Sequence, residues 1–244
     1  MNRSTVVHPS VTLLEELFTS SGADGFVIGL SGGIDSSVAA TLCVRAVGPD
    51  RVFGLFLPSA VTPAEDKADV QLLGEFLNIS ILTVPISPII DQYRQIPRFI
   101  DTPYLVGNLM ARTRMTILYY YANATNRLVC GTSNRTEYLL GYCTKFGDNA
   151  ADVQPIIHLL KHEVWDLARA LGIPDRLIQK APSAGLWQNQ TDEAELGLTY
   201  QAIDAAIKSL EEHEWKPKNP IEEKVLEKII RAGHKQMPAP HVKR

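Results

Sequence analysis

Phe26-Val27-Ile28-Gly29-Leu30-Ser31-Gly32-Gly33-Ile34-Asp35-Ser36-Ser37 is an apolar run that breaks into a Ser-Gly-Gly turn and then an Asp-Ser-Ser helical start. Val27, Ile28 and Leu30 have the continuous apolar character of a strand covered on both faces of a parallel sheet. Gly32 and Gly33 permit positive φ and close approach of a ligand to the backbone. Asp35 or a neighbouring Ser is expected to cap the following helix. Successive amide N–H groups at such a turn converge on one point, which suits an anion such as phosphate. No Gly-Lys-Ser/Thr follows the glycines, so this is not a Walker A loop.

Outward from this stretch, strands alternate with helices. A strand over 25–30, a helix over 36–47 and a strand over 51–57 form a βαβ unit, with Gly48-Pro49 as the break. Thr62-Pro63-Ala64-Glu65 carries a helix-start signature, with Thr as cap, Pro in the first turn and Glu at the third position; that helix is predicted to end near Leu77. A strand over 81–86, a short helix over 88–93 and a strand over 127–130 follow, and Gly131-Thr132-Ser133-Asn134 turns out of the last. A first helix over 11–18 precedes the set, and the chain from Lys161 onward is mostly helical, with a polar loop over 188–192. This order predicts an α/β fold with a three-layer parallel sheet flanked by helices.

The 105–122 segment is apolar nearly all round, so it is buried on more than one side, either as a core helix or between the sheet and a partner subunit. Arg112 and Arg114 within it need partners, either an intramolecular carboxylate or an anionic ligand. The formal net charge of −3 gives no basic field for nucleic acid or an anionic membrane. There is no apolar run near 20 residues and no signal segment, and Cys43, Cys130 and Cys143 show no Cys-x-x-Cys spacing, so a cytoplasmic protein with buried free thiols is expected.

Five segments in order carry a resemblance: Ser31-Gly32-Gly33-Ile34-Asp35-Ser36; Gly107-Asn108-Leu109-Met110-Ala111-Arg112-Thr113-Arg114; Gly131-Thr132-Ser133-Asn134-Arg135-Thr136-Glu137 leading to Tyr142-Cys143-Thr144-Lys145-Phe146-Gly147-Asp148; Pro155-Ile156 with Lys161 downstream; and Ala181-Pro182-Ser183-Ala184-Gly185-Leu186-Trp187-Gln188-Asn189-Gln190-Thr191-Asp192-Glu193. The glycine loop resembles that of the ATP pyrophosphatases, and the whole set resembles NAD synthetase from about Gly25 onward. The resemblance implies an adenine nucleotide α-hydrolase-like (Rossmann-like) fold. It implies a single domain over 1–244, with a nucleotide-binding core over about 24–160 and a helical part with a lid loop over about 161–244. Only 24 residues precede Gly25, too few for the amidase domain of glutamine-using members, so the ammonia-dependent form, or one fed by a separate glutaminase, is expected.

The implied reaction joins the carboxylate of nicotinic acid adenine dinucleotide (deamido-NAD) to the α-phosphorus of ATP, releases pyrophosphate, and lets ammonia displace AMP. By the resemblance, Gly29, Leu30, Ser31, Gly32, Gly33, Ile34, Asp35, Ser36, Thr132, Lys161 and Ser183 contact ATP, Asp35 and Lys161 are catalytic, and Asp35 and Glu137 hold Mg²⁺. Arg112, Lys145, Asp152, His234 and Lys235 match positions that bind deamido-NAD, and a homodimer is implied. Two positions depart from the family pattern: Arg135 stands where Lys is common, and Asn189 where Gly is frequent. Rival readings are another pyrophosphatase-loop enzyme, such as a GMP synthetase domain or a tRNA-thiolating enzyme, and a non-catalytic nucleotide sensor. A thiolating enzyme should show catalytic cysteines and a basic RNA surface, and a sensor should lack Asp35, Glu137 or Lys161.

Overall fold

The computed structural model describes residues 3–187 and 190–242. In chain order the elements are α1 (Arg3–Ser21), β1 (Phe26–Gly29), α2 (Ile34–Val47), β2 (Val52–Phe56), α3 (Ala64–Leu77), β3 (Ser80–Thr83), α4 (Ser87–Tyr93), α5 (Pro103–Ala124), β4 (Leu128–Cys130), α6 (Arg135–Leu140), α7 (Lys161–Leu171), α8 (Asp175–Ile178), α9 (Asp192–Leu196), α10 (Tyr200–Glu212) and α11 (Pro220–Ala232).

Four parallel strands pair in the order β3-β2-β1-β4. Alternation along each strand separates two cores. Phe26 and Ile28 of β1, with Val52, Phe56 and Cys130, face the layer made by α1, α2, α3, α7 and α8. Val27, Leu55 and Val129 face α4 and α5, where Val106, Met110, Met115, Leu118 and Ala122 cover them. The three-layer α/β architecture expected from the strand pattern is therefore present. A third cluster, built on Leu140, Leu160, Leu196, Tyr200, Ile203, Ile207, Leu210 and Val225, joins α6, α9, α10 and α11. Trp165 of α7 packs against both the first and third clusters.

β1, β2 and β3 run outward to one side, and the chain then returns to place β4 on the other side of β1. The switch point lies between the carboxyl ends of β1 and β4, which is where open α/β sheets leave a crevice for ligands. A parallel bridge from Cys130 to Val153 extends the sheet beyond β4. Asp152 anchors that extension: its carboxylate accepts from Val129 N at 2.7 Å and from the Tyr119 hydroxyl at 3.2 Å.

Several local expectations shift. The α2 helix begins at Ile34 with Gly33 as N-cap, so neither Asp35 nor a serine caps it; Asp35 occupies the first turn instead. Only Gly32 of the pair has positive φ (77°), because Gly33 is extended. A Cβ at Gly32 would lie 3.2 Å from Asp66 O, Asp69 Cβ and Lys180 Nζ, so the loop passes tightly over α3. The Thr62 hydroxyl accepts from Ser59 N at 2.9 Å rather than capping α3, whose N-cap is Pro63. The third strand ends at Thr83, because Pro85 follows closely and cannot donate to a ladder. Cys43 and Cys130 are buried free thiols and Cys143 is half-buried.

Candidate active site at the switch point

The loop after β1 folds on its own hydroxyls. Ser36 Oγ donates to Gly33 O at 3.0 Å and lies 3.2 Å from Ser31 Oγ, which accepts from Gly33 N at 3.2 Å. These bonds hold the turn in place while the first-turn amides of α2 stay available to an anion.

The loop after β4 leads into α6 through Asn134. Its side chain accepts from Glu137 N at 3.0 Å, an N-cap worth about 1 kcal/mol. The same amide donates from Nδ2 to Asp35 Oδ1 at 2.8 Å. One fully buried asparagine thus joins the two loops across the switch point.

Lys161 opens α7, and its side chain reaches back into this crevice. Its Nζ lies 2.6 Å from Asp35 Oδ2 and 3.2 Å from Glu137 Oε1, and 5.0 Å from the centre of the Tyr200 ring. Lys161 is 1% exposed, while the two carboxylate side chains each retain 18% exposure toward the crevice. Burial lowers the Lys161 pKa, but Asp35 and Glu137 outweigh it and the net shift is upward, so the ammonium stays charged. Glu137 is pushed up to about 8, by burial first and by the Asp35 and Asp192 charges next, although Lys161 opposes them.

Asp192 supplies a third carboxylate, itself buried. It accepts from the Tyr200 hydroxyl at 2.8 Å, and the Tyr142 hydroxyl lies 3.1 Å away. Burial pushes its pKa up, against the pull of Tyr200, Lys161 and Tyr142. Three acidic groups around one lysine leave the crevice with surplus acceptor capacity. Among the described residues no group of three or more His, Cys, Asp or Glu side chains is arranged to hold a metal ion. Asp35 and Glu137 alone present the one or two carboxylates that Mg²⁺ takes from protein when phosphate oxygens and water complete its shell.

The remaining predicted residues divide. Thr132 follows β4 at the carboxyl end of the sheet, beside the crevice. Ser183 donates to Gln190 O at 2.7 Å and accepts from Gly185 N at 3.1 Å, folding its loop upon itself. Lys180, just before that loop, bonds Asp66 (2.7 Å) and Asp69 (2.8 Å) on α3 behind Gly32. Asn189 lies outside the described residues.

Arg112, Lys145, His234 and Lys235 gather around the 141–149 loop. Arg112 is exposed on α5 and donates from Nε to Lys145 O at 3.2 Å; Lys145 Nζ donates to His234 O at 2.7 Å. Lys235 Nζ donates to Gly141 O and Cys143 O, each at 2.7 Å. The Asp152 carboxylate is engaged by β4 and Tyr119 and makes no hydrogen bond or ion pair with these four among the described residues. The arginine that needs burial partners is Arg114 rather than Arg112: its Nε donates to Leu57 O at 2.9 Å, and burial lowers its pKa to about 10. Arg135 pairs with Glu211 of α10.

Asn134, Tyr142 and Asp192 lie within the quoted motifs but receive no role from the sequence, and Tyr200 is not singled out there at all. Asn134 had a signal, since Asn followed three residues later by Glu is a capping pattern. The others come from separate segments and meet only through the fold.

The profile of the NAD synthase family matches residues 6–238. The NH(3)-dependent NAD(+) synthetase of Methanoregula boonei is 50% identical over 230 residues, 94% of this chain and 93% of that one. The NMN synthetase structure from Francisella tularensis aligns over 100% of both chains with a TM-score of 0.91 and 39% identity. The NH3-dependent NAD synthetase structure from Campylobacter jejuni also aligns over 100% of both, with a TM-score of 0.86 and 30% identity. The glycine loop, the β4 loop and the buried lysine between them meet at the same switch point that the motif order singles out, and this chain belongs to the NAD synthase family.

Proposed function

We propose that the chain is a ligase that amidates deamido-NAD with ammonia and ATP, through an acyl adenylate, to give NAD, AMP and pyrophosphate. The observation that carries this reading is the fixed ammonium of Lys161 beside Asp35 and Glu137, at the mouth between the two loops. Charge developing on the polyphosphate is stabilised by the Gly29–Ser36 amides and Lys161, a preorganised arrangement. Asp35 and Glu137 would hold Mg²⁺, which supplies charge neutralisation for the leaving pyrophosphate. Thr132 and Ser183 supply further contacts to ATP.

The cluster of Arg112, Lys145, His234 and Lys235 supplies the positive rim for the acceptor's phosphates, and Asp152 completes the family set. Trp165, shared by two cores, supports reading the described residues as one domain. A homodimer through α5 is supported by Tyr104, Leu105 and Tyr120, which stay 46–66% exposed. Ile117 by contrast packs against its own subunit's core. Among the described residues no helix is long and apolar enough to cross a membrane. We assign the chain to the cytoplasm, where ATP is abundant and the Cys43 and Cys130 thiols stay reduced.

The name of the Francisella relative, an NMN synthetase, supports a second reading in which the acceptor is the mononucleotide whose amide is NMN, nicotinic acid mononucleotide. Purified protein with ammonium, Mg²⁺ and ATP is therefore offered each acceptor, and amide product, AMP and pyrophosphate are measured. The proposal expects the dinucleotide to give the higher kcat/KM, with AMP and pyrophosphate in equal amounts. Preference for the mononucleotide transfers the chain to the second reading; release of ADP or phosphate with either acceptor refutes both.

A further inference from the structure

Asp204 sits in the middle of an apolar helix face. Tyr200, Ile203, Ile207 and Leu210 of α10 form that face in the third core, and Asp204 lies among them at 2% exposure. A carboxylate in such a place is costly unless its oxygens are used. Here they are. Oδ1 accepts from the Thr136 hydroxyl at 2.6 Å, and Oδ2 accepts from His162 N at 2.9 Å and lies 2.8 Å from His162 Nδ1. The Thr136 hydroxyl in turn accepts from Lys161 N at 3.0 Å. Lys208 Nζ stands 2.7 Å from His162 Nε2; it donates there, so the imidazole proton is on Nδ1 and points at Asp204.

Thr136 precedes Glu137, and His162 follows Lys161. One carboxylate from the C-terminal helical layer therefore ties together the two backbone segments that carry the crevice's lysine and one of its acids. It takes the His162 N–H directly and, by holding the Thr136 hydroxyl, fixes the acceptor of the Lys161 N–H; the helix itself can satisfy neither. It also sets the rotation of α6 through Thr136.

We infer that Asp204 is a positioning residue: it locks the first turn of α7 against α6 and so holds Lys161 Nζ between Asp35 and Glu137. This rests on the role given to Lys161 under Proposed function. Displacement of a reacting group by about 1 Å costs on the order of 10²-fold in rate. Asp204→Asn weakens the tie: with its amide oxygen on His162 N, its NH₂ faces the Thr136 hydroxyl, which can accept from it but then loses the carboxylate acceptor of its own proton, and the reverse orientation sets NH₂ against an N–H. Thr136→Val removes the same link from the other end, and Thr136→Ser restores it.

The test measures kcat, the KM for ATP, the melting temperature and a crystal structure for Asp204→Asn, Thr136→Val, Thr136→Ser and Asp204→Asn/Thr136→Val. Leu210→Ala serves as a control that loosens the same helix. The inference expects kcat per folded molecule to fall about 10–100-fold in Asp204→Asn and Thr136→Val, with KM for ATP changed less than threefold. It expects no further loss in the double variant, near-parent kcat in Thr136→Ser and Leu210→Ala, and Lys161 Nζ moved out of contact with Asp35 in the Asp204→Asn crystal. Losses that multiply in the double variant, a Leu210→Ala loss equal to that of Asp204→Asn, or Lys161 Nζ still in contact with Asp35 overturns it. If the parent protein makes no amide with any acceptor, the reading of the reaction fails, and the position of Lys161 in the crystal still decides the role of Asp204.

Discussion

Replacing Lys161 by Met tests the electrostatics of the crevice. At an effective dielectric constant of about 20, the 2.6 Å contact to Asp35 corresponds to about 6 kcal/mol of attraction, and the 3.2 Å contact to an ionised Glu137 to about 5 kcal/mol. Desolvation of the ammonium offsets most of this, and removal of one partner from a buried pair typically costs about 3–5 kcal/mol of stability. The cost should depend on pH, because Glu137 titrates near 8. Below that value Glu137 holds a proton and only Asp35 loses its partner, which places the cost near about 3 kcal/mol. Above it the parent ionises Glu137 beside Lys161, while the variant resists ionisation and keeps its proton. The folded variant then binds more protons than the folded parent, so the stability difference widens as pH rises, by at most about 1.4 kcal/mol per pH unit. Urea unfolding followed by tryptophan fluorescence, with Trp165 against Tyr200 as a reporter, should show this between pH 6.5 and 9. A cost below about 1 kcal/mol, or one that shrinks with rising pH, would refute the charge assignment. In the parent itself, the raised Glu137 pKa means the folded state holds a proton that the unfolded state has lost. Parent stability should fall as pH rises from about 4.5 toward 8.

Asp35→Asn should lower kcat per folded molecule about 10²–10³-fold; its amide oxygen still accepts from Asn134, but its NH₂ then faces Lys161 Nζ, so a stability loss of about 3–5 kcal/mol accompanies it, and near-parent turnover removes Asp35 from the reaction. Gly32→Ala forces a non-glycine residue to φ 77° against backbone at 3.2 Å and should destabilise by about 1–2 kcal/mol, read from thermal melts, while weakening ATP binding. Leu105→Glu places a charge on the exposed face of α5 and should yield a monomer in sedimentation; an unchanged sedimentation coefficient moves any dimer interface elsewhere.

What could be read in advance follows the physics of each element. The β1 run is covered on both faces, so Val27, Ile28 and Leu30 stand out without tertiary information. Gly32 was legible because a tight turn between strand and helix needs positive φ somewhere, though its neighbour Gly33 shows that the exact residue does not follow from composition. The charge on the 105–122 helix was harder. Arg112 and Arg114 are two residues apart, so they point to different sides, and only the packed sheet decides which one is buried. Asp152 stands between Ala151 and Val153, and half of its role is to extend the sheet through Val129 N, a contact that no local pattern announces. Tyr142, Asp192 and Tyr200 come from three separate stretches. No local pattern connects them, and the buried Asp192 carboxylate is what brings them together.

In the proposed reaction the acceptor carboxylate attacks the α-phosphorus of ATP. Deamido-NAD labelled with ¹⁸O in its carboxylate, incubated with the protein, Mg²⁺, ATP and ammonium, tests this directly by mass spectrometry of the products. Attack through an acyl adenylate leaves one carboxylate oxygen on AMP when ammonia displaces it, so singly labelled AMP in step with NAD and unlabelled pyrophosphate are expected. Unlabelled AMP, or label recovered in pyrophosphate or inorganic phosphate, would contradict it.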